Sequence, residues 1–450
     1  MSIRESIDQA PMSKYQVMVV GICLAIVLSE GYDLLLMAFA ASGVAQEFAL
    51  SGSETGLLLS SALVGMALGS AFIAPLADRT GRRPLTLACL LLVSVTMALA
   101  SITTSFTQLG VCRLLTGLGI GGLVASLPVL TAEFSPRRRR GTMIALYTTG
   151  LPLGGMIGGL VAALLTSTFS WRASFIAGAV LTFLLLVLVY ARMPESIDYL
   201  LVRRPAGALE TINATLPKMG LAPIEALPAP EPQAGQGMKA AIFSGRNGIR
   251  SLLLGSAFFI MMAAFYFAAS WTPKLLQQSG LSAQQGISGG MLLNLGGAAA
   301  TLTFSVLAIV VTSRILTIAA LVGASVSFLA MSTALGSLAT ALLAAVAVGV
   351  FVNASATGLY ALAPDCYPTS VRATAVGWAS AVGRLGAIIS PILAGVLIDR
   401  SWTPSSLFIL FAIPLLIGAV LVAAIKMPVP HVAVVAGTSP GDVQARTLSQ

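Results

Sequence analysis

The stretch LSEGYDLLLM, residues 28–37, sets two carboxylic acids, Glu30 and Asp33, in the middle of a run that is otherwise apolar from Val17 to Ala41. A carboxylate at the centre of a membrane-spanning helix costs about 2.5–3.5 kcal/mol on insertion scales. Spaced i, i+3, the two share one helix face, where they can load and release protons or pair with cations. Two arginines lie at comparable depth in later apolar runs: Arg113, ~8 Å in, and Arg384, ~18 Å in from a start near Arg372. Arg113 is the expected partner of the acids, and Glu30, Asp33 and Arg113 form the candidate proton-coupling set. The rival is an ion pair that only fixes helix packing, although buried pairs are weak devices for stability. Arg384 has no acid in its own run. A guanidinium matches a carboxylate as a bidentate fork, so an anionic substrate is its economical partner; a resting salt bridge to Glu30 is the alternative.

The elements that must position these residues follow from composition. Of 450 residues 57% are hydrophobic and 9% charged, with a mean hydropathy of +0.93. A soluble domain carries about 25% charged residues, so this is an all-α polytopic membrane protein, and the absence of period-two alternation excludes a β-barrel. Twelve spans are expected at about 17–41, 55–77, 84–104, 108–132, 142–167, 172–192, 249–271, 285–311, 314–335, 338–362, 372–398 and 404–426. The polar segment 193–248 separates six from six. It includes PAPEPQAGQG (228–237), which reads as a flexible linker, and a short helix is expected near 205–218. The expected domains are a bundle over 1–192, a linker over 193–248, a second bundle over 249–427 and a tail over 428–450.

The net charge of +9 is carried in alternate loops (Arg79, Arg82 and Arg83; Arg137–Arg140; the linker), whereas the opposite loops hold Arg172, Lys274 and Arg400. That is membrane topology rather than nucleic-acid binding, and it predicts both termini on the cytoplasmic side. The first sixteen residues lack a short apolar core with a cleavage site, so the first span is expected to be retained. Cys23, Cys89, Cys112 and Cys366 show no ligand spacing, and the single histidine, His431, is in the tail. No disulfide, metal site or cofactor is expected, and no enzyme, since the loops offer no nucleophile or metal cluster.

The halves repeat. AEFSPRRRRGT (132–142) and APDCYPTSVRAT (363–374) match at a shift of 232 residues, which sets Glu133 on Asp365, Pro136 on Pro368, Arg140 on Arg372 and Thr142 on Thr374. Six plus six with an internal repeat is the plan of a transporter whose halves rock around a midplane site. Over its full length the chain resembles the major facilitator superfamily, most specifically in APLADRTGRRP (74–84), and also in RLLTGLGIGG (113–122) and GLPLGGMIGG (150–159). The resemblance implies a cytoplasmic gate built from Asp78, Arg79, Gly81, Arg82, Arg83, Glu133, Arg140, Asp365 and Arg372, in which Asp78 faces basic groups and a helix dipole and holds that side shut. The second copy of the loop is reduced to VTSR (311–314), with Val310 where the repeat sets Asp78.

Within the superfamily, EGYD resembles the acid–Gly–aromatic–Asp signature of the aromatic acid:proton symporters, and GRLGAIISP (383–391) carries Arg384 in span eleven. In this fold span one faces the central pathway, so Glu30 and Asp33 are expected to line it. The resemblance implies uptake of a small organic acid, a benzoate or hydroxybenzoate, with protons across the inner membrane by a monomer in the bilayer. An aromatic carboxylate needs a cation, a ring wall and polar groups for ring hydroxyls. Arg384, the span-ten stripe Asn353, Thr357 and Tyr360 (i, i+4, i+7), and Phe265 and Tyr266 of span seven are the candidates. An aliphatic or nicotinate-like acid is the alternative cargo. An exporter is disfavoured by Gly155, which stands where exporters carry proline, and a sensor that lost transport is separable by flux.

Overall fold

The computed structural model describes residues 3–228, 243, 245–367 and 371–425. Pro368 and His431, residues 229–242 and 244 of the linker and the expected tail lie outside them. Among the described residues are twelve helices long and apolar enough to cross a membrane: Lys14–Glu47, Gly52–Thr80, Arg82–Ser101, Phe106–Glu133, Arg137–Thr166, Trp171–Arg192, Asn247–Gln278, Ala283–Leu307, Ser313–Ala334, Leu338–Cys366, Thr374–Asp399 and Pro404–Ala424. They are spans one to twelve. The all-α class and the span count agree with the sequence expectation, and most ends lie a few residues beyond it because polar first turns are stabilised by caps. Ser13, Ser51 and Ser282 each form a capping box with Gln16, Glu54 and Gln285, opening spans one, two and eight. Span two is not uniform: its α-helix ends at Leu68, and Gly69–Ile73 is a π-helical turn.

An even number of spans puts both described ends on one face, here called the terminal face. Span one packs on span five and span three on spans four and six, with parallel arrangements in the second six. The segment after span six is more ordered than a linker reading suggests. Helices Ile197–Arg203 and Ala208–Thr215 and a 3-10 turn, Leu216–Met219, follow it. Their Ile197, Leu200, Ile212 and Met219 join Ile3 and Ile7 of an N-terminal helix, Ile3–Gln9, in one apolar cluster beneath the first six spans. Burial of that helix's two isoleucines explains why a stretch read as merely polar folds.

The two sets of six are joined along span two. Its start meets the end of span eleven so closely that a Cβ on Gly395 would lie 2.2 Å from the Gly52 carbonyl oxygen. Asp399 accepts from the Gly52 and Ser53 amides at 2.6 and 2.8 Å and from Ser53 Oγ at 2.5 Å. A carboxylate on the exposed N–H groups of a helix start is a charge-assisted cap. Lys274 Nζ donates to Thr55 Oγ1 at 3.0 Å, and Ser60 Oγ to the Ile388 carbonyl at 2.8 Å. Deepest in this series Arg384 Nη1 bonds the Met66 carbonyl at 3.1 Å and Ser70 Oγ. The halves are thus zipped from the far face to mid-depth.

Candidate functional site

Asp33 and Arg113 form an ion pair of 2.7 Å with side chains 2% and 1% exposed. A second donor, Arg113 Nη2, bonds the Asp33 carbonyl at 3.0 Å, and the guanidinium lies 5.8 Å from the Phe175 ring. Bonds to both the carboxylate and the backbone fix the arginine to one turn of span one. Asp33 Oδ2 and both Glu30 carboxylate oxygens are buried with no hydrogen-bond partner among the described residues. Glu30 and Asp33 border a small cavity of about 10 Å³ shared with Ser29, Leu90, Val93, Ile120 and Thr182, room for about one water. This corrects the expectation that the acids line the central pathway. Their shared face turns into the first bundle, toward spans three, four and six, because that is where Arg113 stands. Span one meets the other half through its neighbouring residue Leu34 instead. Glu30 also makes no bond to Arg384.

At the junction of the halves the structure brings together four of the six expected substrate residues. Leu34, Leu63 and Met66 of the first half pack with Met262, Phe265, Tyr266, Ala387 and Ile388 of the second. Phe265 and Tyr266 meet edge to face at 5.1 Å. Tyr266 lies within electrostatic reach of Arg384 and Tyr360. Tyr360 is 42% exposed, stands edge to face on Phe258 at 5.0 Å and exchanges a 3.2 Å hydrogen bond with Ser380. A half-buried guanidinium within electrostatic reach of a phenol that itself meets a phenyl ring can hold an aromatic anion. Asn353 and Thr357 are not part of that group. Asn353 donates to the Gly349 carbonyl at 2.9 Å and packs on Gly297 of span eight, while Thr357 donates to the Asn353 carbonyl at 3.0 Å. The i, i+4, i+7 stripe is real, but its upper part serves helix packing.

On the terminal face the expected gate splits. Arg82 pairs with Glu133 at 2.7 Å, Ser196 Oγ donates to Glu133 at 2.6 Å, and Glu195 Oε1 accepts the Arg82 and Arg83 amides at 2.8 and 3.2 Å. Gly81 is required twice over: its φ is +99°, and a Cβ there would lie 2.4 Å from the Glu195 carboxylate. Arg83 donates to the Tyr190 carbonyl at 2.7 Å, and Arg140 pairs with Asp8. Asp78, Arg79, Asp365 and Arg372 are exposed. Asp78 engages through its backbone carbonyl, which accepts from Arg203 at 2.7 Å, and its carboxylate forms no ion pair among the described residues. The closed latch is therefore absent from this conformation, and the repeat-related Glu133 and Asp365 differ outright, one buried and paired, the other solvent-facing. The reason is geometric: Arg82, Glu133 and Arg140 find their partners in the first six spans, the N-terminal helix and the segment after span six.

Ser70, Glu195, Ser196, Asp399, Lys274 and the N-terminal Asp8 were not singled out by sequence reasoning. Asp399 offered the one clear signal, an acid at the far end of span eleven beside Arg400. The Arg384–Ser70 bond depends on how two distant helices meet and left none.

Twelve spans in two zipped halves, with a buried ion pair inside one half and, where the halves meet, a cation with no carboxylate partner among the described residues, define a secondary membrane transporter rather than an enzyme. The chain belongs to the Major Facilitator Superfamily, whose profile matches residues 22–336 and 295–443. It is 30% identical to the gallate transporter of Pseudomonas putida over 94% of each chain. Identity to the 4-hydroxybenzoate transporter PcaK of the same organism is 29%, over 93% of this chain and 94% of that one. Among solved structures it resembles a D-xylose-proton symporter with a TM-score of 0.73 at 17% identity, covering 92% and 98% of the two chains. That likeness concerns the fold.

Proposed function

We propose that this protein takes up an aromatic carboxylate, a benzoate or hydroxybenzoate, together with protons across the inner membrane. It works as a monomer with both termini and the linker in the cytoplasm. The observation that carries the reading is Arg384 at mid-depth between the halves, within electrostatic reach of Tyr266, which neighbours Phe265 and Tyr360, with no carboxylate among the described residues bonded to it. An aromatic acid supplies the missing charge and a ring to fill the aromatic corner. The two Pseudomonas relatives, transporters of gallate and of 4-hydroxybenzoate, support the same chemical class.

Residues 1–192 and 249–427 act as the two rocking bodies, and the zipped far face with separate terminal-face networks corresponds to the state open to the cytoplasm. Asp33 is the proton carrier. Its pairing with Arg113 must differ between states, because a group whose surroundings never change cannot link a proton to movement. When the terminal face closes, Asp78 and the exposed Asp365 and Arg372 come into play as the latch. The test is uptake of labelled 4-hydroxybenzoate into vesicles. An imposed inward proton gradient accelerates uptake and a protonophore abolishes accumulation. Accumulation that follows sodium at fixed pH overturns the coupling.

A further inference from the structure

We infer that Ser70 is a tether displaced by substrate: with the site empty, its hydroxyl and the Met66 carbonyl hold the Arg384 guanidinium across the two halves, and an acid arriving at Arg384 breaks that link. The inference rests on the reading of Arg384 as the carboxylate-binding residue.

Three observations converge. First, the cross-half bonds run in order along span two, from Asp399 on Gly52 and Ser53, through Lys274 on Thr55 and Ser60 on Ile388, to Arg384 on Met66 and Ser70. Ser70 lies about 27 Å along span two from Gly52, and Arg384 about 22 Å along span eleven from Asp399, so this link is the one nearest the terminal face and the first a solute entering from that face meets. Second, Ser70 sits in the π-helical turn Gly69–Ile73. Its hydroxyl faces the Met66 carbonyl at 2.8 Å and the Gly121 carbonyl of span four at 3.1 Å, so its proton is taken up locally and a lone pair is left for Arg384. A π turn inside a spanning helix is a recurrent device at functional sites. Third, both acceptors on Arg384 are neutral. A carboxylate adds an opposite full charge and accepts two parallel N–H bonds in the planar fork, which a hydroxyl and a carbonyl do not, so an acid wins the guanidinium from them.

The consequence is directional. A ligand shifts a conformational equilibrium only by its differential affinity for the two states. The acid binds better once Arg384 has left span two, so loading loosens the deepest link of the far-face seam while the empty protein keeps it. Loaded exchange is then faster than return of the empty carrier. Ser70 does not need to touch the substrate. It is a positioning residue acting through Arg384.

The test uses the full chain in lipid nanodiscs. Binding of 4-hydroxybenzoate is measured by calorimetry for the parent protein, Ser70→Ala, Ser70→Thr and Arg384→Lys. In parallel, spin labels replace the exposed Leu57 and Leu393 on the far halves of spans two and eleven. Ser70→Ala should bind the acid about three- to tenfold more tightly, the value of one net hydrogen bond removed from the competitor. Ser70→Thr, which keeps the hydroxyl, should match the parent. The label distance should lengthen on adding acid to the parent and already be longer in acid-free Ser70→Ala. Weaker or unchanged binding in Ser70→Ala, with an unchanged acid-free distance, overturns the tether and makes Ser70 a direct ligand or a packing residue. Unimpaired acid binding by Arg384→Lys instead removes the parent reading of Arg384, and the tether falls with it.

Discussion

Asp33→Asn separates proton coupling from substrate handling, because it removes the charge of the Asp33–Arg113 pair while preserving shape and an oxygen acceptor. The pair is 2.7 Å long and 1–2% exposed. Breaking a buried pair by losing one partner costs about 3–5 kcal/mol. Here Arg113 Nη2 keeps the Asp33 carbonyl and the guanidinium keeps the Phe175 face, so the loss should fall at the lower end and leave the protein expressed. Accumulation is affected far more. With one proton per monoanion the cycle is electroneutral, and each pH unit of gradient is worth about 1.4 kcal/mol, a tenfold accumulation. Without proton release the anion is driven only by its own gradient, and an interior-negative potential of 100 mV opposes it by about 2.3 kcal/mol. Asp33→Asn should therefore lose proton-driven accumulation entirely and retain counterflow of labelled acid against unlabelled acid. Glu30→Gln should be milder, since the Glu30 carboxylate has no ion or hydrogen-bond partner to lose. Both variants are assayed in reconstituted vesicles under the same pH jump. An Asp33→Asn protein that still concentrates substrate refutes the assignment of Asp33.

Other perturbations test separate parts of the architecture. Arg384→Lys should lower acid affinity at least about tenfold although the charge is kept, because an ammonium cannot form the planar fork; equilibrium binding reads this. Asp399→Ala removes three bonds at the start of span two and should raise labelling of a cysteine placed on the far-face side of the seam, with unchanged labelling reducing Asp399 to a surface acid. Asp78→Asn should impair uptake at normal expression and raise labelling of a cysteine on the terminal side of the cleft; no change in either would leave the loop a topology signal. Gly81→Ala should destabilise the terminal face by roughly 1–3 kcal/mol from backbone strain alone, with a further cost from the clash with Glu195, seen as a lower melting temperature in detergent.

What was legible in the sequence divides along a physical line. Span number and class follow from apolar length, a property each segment carries alone, and the 232-residue repeat exposes the two halves in the same way. The Arg113–Asp33 pairing was accessible because two charges inside apolar helices must find each other or lie unbalanced. The facing of those acids was not. An i, i+3 spacing fixes that Glu30 and Asp33 share a side of the helix, but which neighbour that side meets depends on the rotation of span one in the bundle, set by packing of Gly31 on span five and Leu34 at the half-to-half junction. The span-ten stripe failed in the same manner: the period was right, and the close approach of Gly297 drew Asn353 toward span eight.

The gate shows a second limit, that of state. Asp78, Asp365 and Arg372 were chosen for a closed terminal face, and a single sequence encodes both conformations without saying which one a given structure will hold. The residues that hold this one, Asp399 on Gly52 and Ser53 and Ser70 on Arg384, are short polar groups whose partners lie some 310 to 350 positions away. No local pattern marks them. Their common feature appears only in three dimensions: each spans the two halves on the far-face side or at mid-depth, so each must break when the far face opens. A transporter of this design has to keep such bonds exchangeable, and here each sets one charged group, Asp399, Lys274 or Arg384, against neutral hydroxyls, carbonyls or backbone amides, while the ion pairs Arg113–Asp33 and Arg82–Glu133 stay inside a single half.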